Sequence, residues 1–257
     1  MTAATISVVS HGHGKLLHGL LLDLCEQRGV ENCQVVVTLN LADESFDPAV
    51  YPALRITVIR NVLPKGFGAN HNAAFQHCDK AWFIVVNPDI RLPDRQALTA
   101  LLQEPRADKK VGLRAPLVFN SSGKPEDSVR HNLSPWSLLR RFVGDRQPLR
   151  PEGPACEGRP YFWLAGMLMA VDSEAFRQIG GFDERFFLYC EDYDLCARLY
   201  VAGYALILDD QVQVVHDAQR DSHRSYRHFL WHITSLLKVW RSSVFWRITL
   251  RSLWMRN

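Results

Sequence analysis

Apolar residues along the chain fall into short, nearly unbroken runs rich in β-branched side chains, separated by stretches in which they recur every three or four positions. The runs at 6–9, 34–39, 56–59 and 82–86 predict strands, and the periodic stretches at about 15–27 and 69–78 predict helices. Strands with no polar face that alternate with helices belong to a parallel sheet covered on both sides. The expected fold class is therefore α/β, with a Rossmann-like, mainly parallel sheet flanked by helices. Such strands end at a crevice that takes ligands, which puts Ser10-His11, Leu39-Asn40 and Asn87-Pro88-Asp89 along one rim. Neither a GxGxxG turn nor a phosphate-loop lysine follows the first strand, which disfavours a dinucleotide enzyme or a P-loop nucleotidase.

The second half is patterned differently. Residues 120–159 are rich in Ser, Pro, Gly and charge around one apolar patch at 136–143, predicting a long loop with a short helix; long ordered loops tend to be functional. A strand is expected at 167–171 and another at 212–215, ending in His216. Between them, Gly180-Gly181-Phe182-Asp183-Glu184 leads to Glu191-Asp192-Tyr193-Asp194-Leu195-Cys196. Asp192, Leu195, Cys196 and Leu199 recur at helical spacing, so Glu191 and Asp192 fall in a first turn, the last three face a core, and Gly203 ends the helix. Acids in that position satisfy free backbone N–H groups and the helix dipole in any protein.

Composition narrows the class further. The 257 residues are 47% hydrophobic, enough for one large α/β domain, expected over 1–222. Six cysteines without a CxxC pair, and a start that runs straight into the first strand with no basic-then-apolar leader, fit a reduced, cytoplasmic protein. No run approaches the roughly 18 to 20 apolar residues of a membrane span. The net charge of +3 is unevenly placed: beyond Asp221 there is no acid, while Arg224, Arg227, Lys238, Arg241, Arg247, Arg251 and Arg256 alternate with Trp231, Trp240, Trp246 and Trp254. This tail, 223–257, suits either a peripheral position on the anionic inner face of a membrane or a pair of helices packed on the domain with snorkelling arginines. Nucleic acid is not an expected partner, because the rest of the chain is not basic.

The stretch from Trp163 to His216, with the 180–189 and 191–195 motifs inside it, extends upstream through Gly66-Phe67-Gly68-Ala69-Asn70-His71-Asn72 and Asn87-Pro88-Asp89. It resembles the rhamnosyltransferase-like members of the family 2 glycosyltransferases, over most of the chain from Ile6 to about His216. The resemblance implies a fold of the glycosyltransferase A (GT-A) type. It also implies inverting transfer of a hexose or deoxyhexose, rhamnose from dTDP-rhamnose first among donors, to a hydroxyl of a cell-surface glycan or lipid-linked saccharide.

The same resemblance assigns roles. Asp192 is the base that deprotonates the acceptor, with Glu191 the second candidate. Ser10, His11 and Asn40 contact the nucleoside; an acid is usual near Asn40, and here Asp43 follows it. Asn61, Gly66, Gly68 and Asn70 lie beside the donor, where glycines permit close backbone approach, although glycine and asparagine suit a plain turn equally well. Asn87 and Asp89 stand at the acidic metal motif, with Asn in place of the first acid. Mg²⁺ or Mn²⁺ is the implied cofactor, held by Asp89 and His216, with Arg220 and Arg224 closing on the diphosphate. Trp163 and Gly166 form a wall and gap for a sugar ring, and a core role for Trp163 stays open.

Two readings from other classes compete. A sugar-phosphate nucleotidyltransferase would carry a glycine-rich basic loop after its first strand, which Ser10-His11-Gly12-His13-Gly14-Lys15 matches poorly. A non-catalytic glycan-binding protein is prompted by Asn87 and the Trp-rich tail.

Overall fold

The structure, a computed structural model, describes residues 3–103, 110–142, 149–217 and 226–254. Arg220, Arg224 and the domain boundary expected at 222/223 lie outside the described residues.

The predicted strands become β1 (Ala4–Ser10), β2 (Gln34–Leu39), β3 (Ile56–Arg60) and β4 (Trp82–Val86), all parallel and adjacent in the order β3-β2-β1-β4. Their helices are α1 (Gly14–Cys25) and α2 (Phe67–Phe75). The short β5 (Ile90–Arg91) and α3 (Ala97–Leu101) follow β4. The sheet then continues with β6 (Val111–Asn120), β9 (Leu168–Asp172) and β10 (Ala205–His216), giving eight strands in the order β3-β2-β1-β4-β9-β6-β10-β5. Strand β9 runs antiparallel to both neighbours and joins two parallel blocks, and the edge strand β5 is also reversed against β10.

The long loop expected at 120–159 contains β7 (Val129–His131) and α4 (Pro135–Phe142); β7 pairs with β8 (Phe162–Leu164) in a two-stranded antiparallel ribbon. The remaining helices are α5 (Ser173–Gln178), α6 (Glu191–Val201), α7 (Tyr226–Arg241) and α8 (Ser243–Trp254). Gly203 ends α6 as expected: at φ 91° it occupies the left-handed region that stops a helix.

Alternation along the strands splits the core in two. Ile6, Val8, Val35, Val37, Ile84 and Val86 meet Leu17, Leu20 and Leu24 of α1 on one face. On the other, Val36, Phe83, Val85, Met169 and Val171 meet Phe176, Leu195 and Leu199, together with Phe245 and Ile248 of α8. The basic tail therefore contributes to the main core, as the packed-helix alternative requires; its outer face remains exposed.

Candidate active site

Parallel pairing of β2, β1 and β4 brings their C-terminal ends together, so the rim read from sequence forms as expected. Asn40 N–H donates to the Ser10 carbonyl, and His11 Nδ1 lies 3.2 Å from Asn40 Nδ2. The acid that returns to this rim is Glu44 rather than Asp43. Ser10 Oγ donates to Glu44, Gly12 N–H donates to its other oxygen at 3.2 Å, and Asp43 is exposed.

Behind the rim sits a buried network of neutral amides. Asn61 Nδ2 donates to the side-chain oxygens of Asn40 (2.8 Å) and Asn70 (2.7 Å). Asn40 also receives Lys65 N–H and donates to the Lys65 carbonyl, to which Asn70 Nδ2 donates as well. These contacts fix the turn that opens α2. Two glycines there are forced by crowding: a Cβ on Gly66 would lie 2.7 Å from the Phe187 carbonyl oxygen, and one on Gly68 would lie 2.7 Å from Phe182 Cβ. Phe67 N–H donates to the Phe187 carbonyl, and Asn72 clasps Phe182 through both its amide atoms. The two sequence motifs, 66–72 and 180–189, are thus two sides of one contact.

The acid pair lies at the far end of that contact. Tyr189 and Cys190 both adopt left-handed backbone, φ 72° and 65°, just before α6 begins. For residues with side chains this conformation costs about 1–2 kcal/mol each, strain of the kind found where a functional group is being aimed. Asp192 Oδ2 accepts from Gly166 N–H at 3.0 Å and Oδ1 from Tyr193 N–H at 2.8 Å. Burial raises the Asp192 carboxyl above its ordinary range, against the lowering effect of the Gly166 bond and the Arg130 guanidinium. Glu191 is 6% exposed, and its Oε2 has no partner among the described residues. Burial first, and then the neighbouring Asp192 charge, push it up to about 8. Asp194, the third acid of the turn, pairs with Arg198 at 2.7 Å and belongs to the packing.

Gly166 links this pair to the strand ends. The next residue, Met167, accepts the Asn87 N–H at 2.9 Å, and the Phe67 ring would lie 3.6 Å from a Cβ on Gly166. Trp163 does not stand in the open: it is 3% exposed, with Tyr193 edge-on and the Arg130 guanidinium 5.0 Å above its ring.

Asp89 and His216 meet where β5 pairs with the end of β10. His216 Nε2 is 3.1 Å from Asp89 Oδ2, and its Nδ1 is 2.8 Å from Glu126. Burial lowers the affinity of this imidazole for a proton, but the bonds and charges of Asp89 and Glu126 outweigh it and push the pKa up to about 9. With no ion bound, these two carboxylates favour the protonated ring. The site fits a divalent ion in one respect: Asp89 Oδ1 is a buried hard-oxygen donor with no partner among the described residues. Among those residues, no group of three or more His, Cys, Asp or Glu side chains is arranged as a complete metal cage, so the protein donor set is partial.

Glu44, Glu126 and Arg130 are the site groups that sequence reasoning did not single out. The only signal for the last two was their place in the long polar loop.

The comparisons agree with this architecture. No protein-family model matches the chain. It is 26% identical over 248 residues to "Rhamnosyltransferase WbbL" of Escherichia coli (strain K12), covering 91% of this chain and 90% of that protein. It is 30% identical over 190 residues to the "N-acetylglucosaminyl-diphospho-decaprenol L-rhamnosyltransferase" of Mycobacterium tuberculosis (strain ATCC 25618 / H37Rv), covering 66% of this chain and 59% of the relative. Among solved structures, the mannosyltransferase PcManGT from Pyrobaculum calidifontis, in complex with GDP-Man and Mn²⁺, superposes with a TM-score of 0.64 at 18% identity, covering 98% of this chain and 69% of that one. Staphylococcus aureus TarS 1–349 in complex with UDP gives 0.63 at 14% identity, over 95% and 67%. The chain thus has a GT-A fold and is similar, along nearly the whole length of both chains, to a curated rhamnosyltransferase.

Proposed function

We propose that the protein transfers a deoxyhexose, rhamnose from dTDP-rhamnose first among donors, to a hydroxyl of a lipid-linked or cell-surface saccharide with inversion at the anomeric carbon. The observation that carries this reading is the Asp192 carboxylate, held by two backbone N–H groups at a helix start and raised in proton affinity by burial. As the acceptor oxygen bonds to the anomeric carbon, the hydroxyl proton passes to Asp192 and the bond from that carbon to the diphosphate oxygen breaks, its electron pair leaving with the diphosphate. Glu191, its neighbour, helps keep the pair's proton affinity high.

The donor's nucleoside would lie on the rim of Ser10, His11 and Asn40, its diphosphate between the Asn61–Asn70 turn and Asp89. Gly166 and Asn87 would border the sugar, and Trp163 would support that border from beneath through Tyr193. Mg²⁺ or Mn²⁺, when bound, would supply charge neutralisation for the departing diphosphate. Asp89 Oδ1 would hold the ion, joined by His216 Nε2 once its proton is lost. Arg220 and Arg224 would add positive charge from the segment that follows. The fold is shared with a structure solved with GDP-Man and Mn²⁺, and the relatives' names point to rhamnosyl transfer, in one case onto a lipid-linked diphosphate saccharide.

A thermal-shift titration with dTDP, UDP, GDP and CMP, each with and without Mn²⁺, tests the reading on wild type and Asp89→Ala. A ligand that binds only the native state raises the melting temperature. The expected result is metal-enhanced stabilisation by one nucleoside diphosphate, lost in the variant. No shift with any nucleotide overturns it, and pyrophosphate release from a nucleoside triphosphate would favour nucleotidyl transfer instead.

A further inference from the structure

Helix α7 is apolar on two opposite faces. Its inner face is committed to the segment that leads into the acid pair: Ser235 Oγ donates to the Leu188 carbonyl at 3.0 Å, the Tyr189 hydroxyl lies 2.8 Å from His228 Nδ1, and Trp231 packs on Phe187 at 4.9 Å between ring centroids. Val239, farther along the same face, is buried in the core. The outer face presents Tyr226, Phe229, Leu230, Ile233 and Leu237, all exposed. At 100° per residue these five fall in one stripe roughly 100° wide, with Arg227 and Arg241 along one edge.

Soluble surfaces scatter large apolar side chains singly; a continuous stripe marks something that covers it. Charge selects the cover. From Tyr226 to Trp254 there is no acid, while Arg227, Lys238, Arg241, Arg247 and Arg251 are present. At the corner between the helices Trp246, exposed, donates its Nε1–H to the Trp240 carbonyl at 2.9 Å, and Leu250 lies exposed one turn on. Apolar residues, an interfacial tryptophan and an exclusively basic complement match the headgroup boundary of an anionic bilayer rather than an acid-and-base-balanced protein surface. No described helix is long and apolar enough to cross a membrane, so the contact is with the surface.

We propose that the outer face of α7, with the α7–α8 corner, is the docking surface for an anionic phospholipid bilayer, and that α7 couples this surface to the site because its inner face grips residues 187–189. The inference deepens the lipid-linked-acceptor reading: docking holds the 187–189 segment that leads into α6 and Asp192 against the lipid-facing helix, where a saccharide on a membrane carrier would present its hydroxyl.

Co-sedimentation of the full chain with phosphatidylcholine vesicles, with and without phosphatidylglycerol, tests it without donor or turnover, so its outcome is separate from that of the transfer reading. Wild type is expected to sediment with the anionic vesicles only, with binding falling at raised salt. The triple variant Phe229→Ser, Ile233→Ser, Leu237→Ser should bind at least about tenfold more weakly, and Arg227→Gln or Arg241→Gln about fivefold more weakly. Its melting temperature and its transfer to a water-soluble acceptor should stay at the wild-type level. Absence of wild-type sedimentation overturns the proposal, as does equal sedimentation of the triple variant or equal binding to neutral vesicles. A concentration-dependent dimer in light scattering that the triple variant abolishes would assign the face to a second copy and overturn it equally.

Discussion

The molecule holds two carboxylate pairs that use the same groups in opposite ways. At the end of β10, Asp89 and Glu126 flank His216, so two anions share a cation and the imidazole is pushed up to about 9. At the start of α6, Glu191 and Asp192 adjoin with no cation bonded to either among the described residues, Arg130 acting on Asp192 only through its charge, and burial together with mutual repulsion pushes Glu191 up to about 8. The first arrangement neutralises charge before a ligand arrives and leaves one free oxygen, Asp89 Oδ1. The second accumulates proton affinity and is held by strained backbone at Tyr189 and Cys190. Clustering of acids thus says little by itself; what lies between them separates a site suited to receiving a charged ligand from one suited to accepting a proton.

The largest test of the contrast is Asp192→Asn. If this carboxylate takes the acceptor proton, the variant loses about 10²- to 10⁴-fold in kcat, with only a modest fall in melting temperature of the size expected from one lost bond, because the amide oxygen can accept just one of the backbone N–H groups of Gly166 and Tyr193. Near-normal turnover would move the role elsewhere, with Glu191→Gln the next variant to assay.

The second test reads stability against pH. Glu191 holds its proton more tightly folded than unfolded, so the native state binds more protons between the ordinary carboxylate range and about pH 8, and stability falls as pH rises through that window. The slope limit is about 1.4 kcal/mol per pH unit for one group, and in a chain of this size each kcal/mol moves Tm by roughly 2–4 °C. Glu191→Gln should flatten the decline and melt higher than wild type at pH 8.5. An unchanged slope would remove the basis for calling this pair proton-hungry.

At the other pair the charge-removing substitution should destabilise instead. Glu126→Gln replaces a charge-assisted bond to His216 with a neutral one, at a cost of about 1–2 kcal/mol at neutral pH, read by urea unfolding. A stabilised variant would mean that the Glu126–His216 contact does not hold in solution.

The difference between the pairs also marks what could be read from the sequence. Glu191 and Asp192 were legible because a glycine turn, a helical period and a fold resemblance all act within a few residues of each other. Glu126 and Arg130 were not: they reach the site only because the 120–159 loop folds back on β10 and β8, a relation spanning 90 residues for the Glu126–His216 bond. Strand β6 escaped for a related reason. Arg114 and Pro116 interrupt its apolar run, and they are tolerated because buried Arg114 bonds to Asp209 and the Gln103 carbonyl, while Pro116 pairs where β10 is bulged between Asp209 and Gln213. Glu44 was missed in favour of Asp43 because which of two nearby acids turns inward is decided by Ser10 at the end of β1 and Gly12 in the turn after it.

The smallest expected effect sharpens the contrast from outside both pairs. The Asn40–Asn61–Asn70 network on the donor rim is buried as deeply as Glu191, yet it is neutral, and its strength should not depend on pH. Asn61→Ala removes both amide donations. Asn40 keeps the Lys65 N–H on its oxygen, so only the Asn70 oxygen is left unsatisfied, costing about 1–2 kcal/mol. The loss should be equal at pH 6 and pH 8.5, where Glu191→Gln changes its effect, and nucleoside diphosphate binding should weaken because the turn at Lys65–Gly66 loses its anchor. A loss of stability that grew with pH would show that the rim is electrostatically coupled to the acid pair across the Gly66–Phe187 contact, and the two regions would then have to be treated as one titrating unit.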